Sequence, residues 1–109
     1  MRYENFNYSD KREILKLLKD NKNVIEVIIG AVNNIDDQEW LEKLCLKYIL
    51  NDDFGISRAA IYSIGDIARI FGNLLNRDLI EEKFAQVKDE KLKYVIFDVK
   101  SDFEIFLKD

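Results

Sequence analysis

The sequence predicts an all-α fold, an α-solenoid fragment of about three antiparallel helix pairs, and three observations carry that expectation. Apolar residues recur at spacings of three and four, and no alternating run is bounded by a hairpin turn dipeptide. Proline is absent, and the four glycines, Gly30, Gly55, Gly65 and Gly72, mark no flexible linker. Sliding the chain by 32 positions lays ILKLL, which starts at Ile14, over LKYIL, which starts at Leu46. The same shift lays Asp20 over Asp52, Val24 over Ile56, and Val27 and Ile28 over Ala59 and Ala60. Two helices joined by a short turn and repeated at this period are the signature of a helical solenoid.

Residues 1–8 are rich in aromatics and asparagine and read as an extended head. Ser9 or Asp10 then caps a first helix whose buried stripe is Ile14, Leu15, Leu17 and Leu18. Residues 21–23 make a turn into VIEVIIGAVNN, a helix apolar on nearly every side and so suited to a place between neighbours. Asp36 with Glu39 three positions later resembles a capping box for the third helix. That helix buries Trp40 or Leu41, Leu44, Cys45, Tyr48 and Ile49, and turns Glu39, Glu42, Lys43 and Lys47 outward. Glu39 and Lys43 form a favourable i,i+4 pair.

Residues 51–72 organise the rest. An acidic and amide cluster, Asn51, Asp52 and Asp53, caps this fourth helix, and Gly72 stops it. Ile56, Ala59, Ala60, Ile64, Ile67, Ala68 and Phe71 share one broad face, and the paired alanines admit a close second helix. A fifth helix begins at Asn76 or Asp78 and turns Leu79, Ile80, Phe84 and Val87 inward. The last begins at Asp89 or Glu90 and buries Leu92, Val95, Ile96, Val99, Phe103 and Phe106. Ser101 followed by Glu104 is an alternative cap that would break it in two. The chain is one domain, with pairs at roughly 9–34, 36–72 and 76–108. Its expected core includes Ile28, Leu44, Ala60, Ile64, Ile67, Val95 and Val99, whereas Ser57 is expected to tolerate a leucine.

Composition narrows the function. Cys45 is the single cysteine, which rules out an internal disulfide and a thiolate cluster, and its leucine neighbours make it a buried, inert thiol. Histidine is absent, removing the commonest general base and metal ligand. A net charge of −4 without a basic stripe argues against nucleic acid as partner and favours basic partners. No apolar run is long enough for a membrane span, and MRYENFNYSDKRE lacks the apolar core of a signal peptide, so the cytoplasm is the expected compartment.

Here a family resemblance enters. Leu50, Asp52, Ile56, Arg58, Ala59, Ala60, Ser63, Ile64, Gly65 and Ile67 resemble the consensus of short, phycobilisome-lyase-like HEAT repeats. Ser63 stands where alanine is usual, and no proline follows the aspartate. The resemblance implies that Asp52 caps its helix and that Arg58 bonds acidic groups of an adjacent repeat. With the acidic tail DVKSDFEIFL, the chain also looks like small bacterial HEAT-like immunity proteins of contact-dependent growth-inhibition and polymorphic-toxin systems. That likeness implies a partner, a cognate toxin domain such as a basic RNA-cleaving nuclease, bound one to one by a monomer. A non-catalytic adaptor is the alternative, and a small hydrolase using Asp98 or Asp102 a third reading.

The candidate partner-binding residues follow from these readings. Tyr62, Asp66, Arg69 and Asn73 form a polar stripe along the fourth helix, on the concave side that such a solenoid presents. Asp98, Asp102 and Glu104 crowd carboxylates near the end, without the spacing of a calcium loop. The aromatics Tyr94, Phe97, Phe103 and Phe106 are expected mostly in the core, with exposure of Phe97 or Tyr94 to a partner as the alternative. The sequence thus predicts a binding protein and not an enzyme, with no cofactor and no metal.

Overall fold

The computed structural model describes residues 9–107 as six helices: α1 Lys11–Lys19, α2 Val24–Asn34, α3 Gln38–Tyr48, α4 Phe54–Phe71, α5 Arg77–Ala85 and α6 Glu90–Phe106. No strand occurs among the described residues. The extended head expected at residues 1–8 lies outside them, as does residue 108 of the last expected pair.

Four of the six described helix starts are set by aspartates whose carboxylates accept first-turn backbone N–H groups. Asp10 serves α1, Asp53 serves α4 at Ile56, and Asp89 serves α6 at Lys91 and Leu92. Two expectations need correction. Asp37, not Asp36, caps α3 by accepting the Trp40 N–H, and Asp53, not Asp52, caps α4. Neighbouring aspartates are equivalent in a sequence pattern; Asp37 and Asp53 have extended φ and ψ and direct their carboxylates at the open turn. Gly72 ends α4 at φ 76°, a left-handed conformation that favours glycine.

α4 is the hub, touching α2, α3 and α6, while α1 rests on α2. Its two glycines show how closely the neighbours come. A methyl group at Gly55 would sit 3.1 Å from Ile25 of α2, and one at Gly65 would sit 3.4 Å from Val99 of α6. α5 is held to α6 by side chains: the Phe84 and Phe103 rings stack at 6.4 Å, and Lys100 meets Glu81 at 2.9 Å. At the other end Lys11 of α1 reaches across to Asp37 at 2.7 Å and lies over the Trp40 ring. The expected core residues Ile28, Leu44, Ala60, Ile64, Ile67, Val95 and Val99 are all buried.

Several inward and outward assignments change. Leu15 and Leu79 are exposed, and Ile25 and Ile29 leave one side of α2 open to solvent. Trp40, Tyr48 and Phe106 are half-buried, whereas Ile61 is fully buried. α6 runs unbroken through Ser101, whose hydroxyl donates to the Phe97 carbonyl one turn back. Ser57 is buried and its hydroxyl donates to the Ile49 carbonyl, so it is no neutral site for leucine. The largest correction is Glu42, expected outside and completely buried. Its carboxylate accepts the Leu75 and Asn76 backbone N–H groups at 2.9 and 2.8 Å, together with the side-chain amides of Gln38 and Asn76.

Candidate functional site

The open side of α2 and the polar stripe of α4 meet in a cleft of about 290 Å³. Ile25 and Ile29 line it from α2, and Arg58, Tyr62 and Asp66 from α4. The sequence places these two apolar side chains here because α2 has more hydrophobic positions than its packing face can bury. Gly55 brings the helices together at one end.

Tyr62 is 41% exposed, and the Arg58 guanidinium sits 5.7 Å from its ring centre. Arg58 makes no ion pair among the described residues, contrary to the inter-repeat bond expected of it; the Tyr62 ring occupies that role through a cation–π contact. One turn on, Asp66 and Arg69 pair at 3.5 Å, both about half exposed. Such a surface pair contributes little to stability, so both groups remain available to a partner at small cost. Asn73 leaves the stripe: its carbonyl and side-chain oxygens accept the Gln38 amide at 2.9 and 3.0 Å.

The three C-terminal acids separate. Asp102 is half-buried beside α4, its carboxylate 3.7 Å from where a methyl group on Gly65 would stand. Four-residue spacing puts Asp98 on the same side of α6 as Asp102. Glu104 emerges on the flank of Lys100, toward α5. Asp98 and Glu104 are exposed. Stripe and Asp102 thus form one neighbourhood, and Glu104 belongs to another. The aromatics Tyr94 and Phe97 stand farther out still, on the surface of α6.

A second cleft, about 410 Å³, lies where the turn between α3 and α4 meets the turn between α5 and α6. Leu50, one of the repeat-like positions, and Phe54 are exposed there. Two of its polar groups are already spent on backbone. Asn51 accepts the Asp53 N–H and Asp89 accepts those of Lys91 and Leu92, so the α2–α4 cleft is better supplied for recognition.

Cys45 is fully buried, and burial pushes its thiol far above the ordinary value, with the Glu42 and Asp66 charges adding to the rise. Burial likewise raises the Tyr48 hydroxyl. Both remain protonated at neutral pH and neither is a nucleophile there. Among the described residues no three His, Cys, Asp or Glu side chains converge to hold a metal ion. No described helix is long and apolar enough to cross a membrane. In comparisons with known proteins, no family model, no curated protein and no solved structure matches this chain.

Proposed function

We propose that this chain is a non-catalytic binding protein built as a short HEAT-like solenoid, and that it acts as an immunity protein covering the active site of a basic nuclease toxin. The observation that carries the reading is the α2–α4 cleft, where an apolar wall, Ile25 and Ile29, faces Tyr62 and the carboxylate of Asp66. Apolar floor, exposed aromatic and adjacent charge are the ingredients of an anchor site for a protein partner. Asp102 extends the negative edge, while Asp98 and Glu104 contribute to the field that steers a basic surface inward. Arg69 holds Asp66 in place until a partner cation competes for it.

The adaptor reading keeps a specific observation of its own. Tyr94 and Phe97 form a second exposed aromatic surface on α6, on the side of that helix away from its core residues, and two recognition surfaces suit a bridging protein. One experiment separates the readings. The chain is co-purified with the toxin domain encoded beside it, and nuclease activity is titrated. Stoichiometric inhibition that is lost in Tyr62→Ala supports the immunity reading. Absence of any complex overturns it.

A further inference from the structure

The base of the α2–α4 cleft holds a polar group that the folded chain leaves unbonded. Gly55, Ala59 and Ser63 follow one another at four-residue spacing along α4, and all three line the cleft. Arg58, Tyr62 and Asp66 form one wall at the same spacing, and Ile25 and Ile29 form the other. Ser63 is 1% exposed, and its hydroxyl makes no hydrogen bond among the described residues. No enclosed side-chain oxygen among them lacks a partner, so the Ser63 Oγ is reached from the cleft.

We propose that this cleft takes an extended, uncharged peptide segment of the partner, with one apolar side chain turned inward. Charge selects that occupant. The lining carries one charge of each sign, Arg58 and Asp66, eight positions and so about 12 Å apart along α4. Each end also has a counter-charge beside it: Arg69 pairs with Asp66, and the Asp53 carboxylate lies against Gly55, one turn from Arg58. An added cation or anion is therefore opposed at the end that would attract it, whereas a peptide backbone offers a carbonyl to Arg58 and N–H groups to the other end. Arg58 makes no ion pair among the described residues, so its N–H groups are available to that carbonyl. Arg69 engages Asp66 through Oδ1, which leaves Oδ2, together with the Ser63 hydroxyl, to accept backbone N–H groups. Asp102 lies outside the lining, on the α6 side, and meets the surface around the segment.

Ser63 also decides the form of the backbone. A helix bonds its backbone groups internally and is about 10–12 Å across with its side chains, so it brings no free N–H to the base of the cleft. An extended chain carries a free N–H and C=O at each residue and turns alternate side chains to opposite faces. Its inward side chain packs between Ile29 and Tyr62, and its neighbours stay in solvent. Ile25 would lie 3.1 Å from a methyl group on Gly55 and closes that end. The length from Arg58 to Asp66 admits about four extended residues at roughly 3.3 Å each. The proposal rests on the reading of this cleft as the recognition site, and not on the partner being a nuclease.

Amide chemical shifts of the intact chain, titrated with the capped peptide acetyl-Ser-Thr-Leu-Thr-Ser-amide, test this. Saturable shifts are expected at Ile29, Ala59, Ser63 and Asp66, with a Kd in the millimolar range. Ser63→Ala should weaken binding roughly three- to tenfold, the scale of one hydrogen bond. The same variant should melt no lower than wild type, because the hydroxyl is unbonded in the free chain. Methylating the backbone nitrogens of the peptide, or replacing its leucine by lysine or aspartate, should abolish saturation. No saturable shift up to the solubility limit of the peptide overturns the proposal. So does equal binding by the methylated, lysine or aspartate peptides, or by Ser63→Ala. A toxin complex that is lost in Tyr62→Ala, with no peptide binding, leaves the toxin reading standing and refutes this one; peptide binding without any toxin complex does the reverse.

Discussion

The Glu42 carboxylate accepts the Asn76 backbone N–H at 2.8 Å, so a residue in the middle of α3 fixes the start of α5. Asn76 is the N-cap of α5, yet its side chain makes no capping bond. The anion supplied by Glu42 sits at the end where the helix dipole favours negative charge. Removing it leaves the Leu75 and Asn76 N–H groups without that acceptor. Glu42→Ala is expected to destabilise by about 2–4 kcal/mol in a urea melt, a large share of the 5–15 kcal/mol typical of a domain. Glu42→Gln, which keeps one acceptor oxygen, should fall between. A loss under about 0.5 kcal/mol for alanine, the range of an ordinary surface change, would contradict this role.

Glu42 also marks where the sequence stops being informative. Helical spacing reveals which residues belong to α3, but a glutamate next to an apolar stripe reads as solvent-facing unless its partners are known. Those partners, Leu75 and Asn76, lie 33 and 34 positions later, beyond any local pattern. Ser57 fails as a neutral site for a related reason, since its acceptor, the Ile49 carbonyl, is in the preceding turn. Apolar periodicity did locate all six helices and the core positions Ile64 and Val99, because burial of a helical stripe is decided locally. In the candidate site, Tyr62, Asp66 and Arg69 were legible as one stripe. Ile25 and Ile29 were not, since they read as core until the packing of α2 shows which side stays open.

Ala60→Leu and Ser57→Leu should both destabilise, by roughly 1–3 kcal/mol each through overpacking, the serine variant losing a buried hydrogen bond as well. Ser57→Ala, which removes only that bond, should cost about 1 kcal/mol. Thermal melts of the three variants check the order. A Ser57→Leu protein as stable as wild type would place that side chain at the surface.

Gly65 permits the approach of α6 without demanding glycine, because an added methyl group meets Val99 at 3.4–3.5 Å, an acceptable packing distance. Gly65→Ala is therefore expected to be neutral or to stabilise by up to about 1 kcal/mol through helix propensity. Gly65→Leu should push α6 away and destabilise by about 1–3 kcal/mol. Urea midpoints for the pair decide it, and a destabilising alanine would mean that the helices pack more tightly than described.

Asp37 gives the chain a defined acid sensitivity. The hydrogen bond from Lys11, followed by the Trp40 backbone N–H, holds its carboxyl below the ordinary value of 3.8. A group whose folded pKa is depressed stabilises fully above its unfolded value, and that contribution is lost as pH falls through the lowered one. Asp37→Asn should therefore melt lower than wild type at neutral pH, and the gap should close well below pH 3.8. A gap independent of pH would assign the effect to the capping geometry alone.

The two levers of the proposed toxin complex should separate kinetically. Tyr62 packs in the cleft and acts on the bound state, so Tyr62→Ala is expected to speed dissociation by tenfold or more, the scale of an aromatic anchor. Asp66 and Asp102 act at longer range on a basic surface, and neutralising both to asparagine should slow association several-fold with a smaller change in dissociation. Raising salt from low to physiological levels shortens the screening length to about 8 Å. It should slow the wild-type association in the same way and compress the difference between wild type and the double variant. Stopped-flow association at two ionic strengths measures both effects. If the double variant binds as fast as wild type at low salt, electrostatic steering by these acids is excluded, and the complex must depend on the apolar cleft alone.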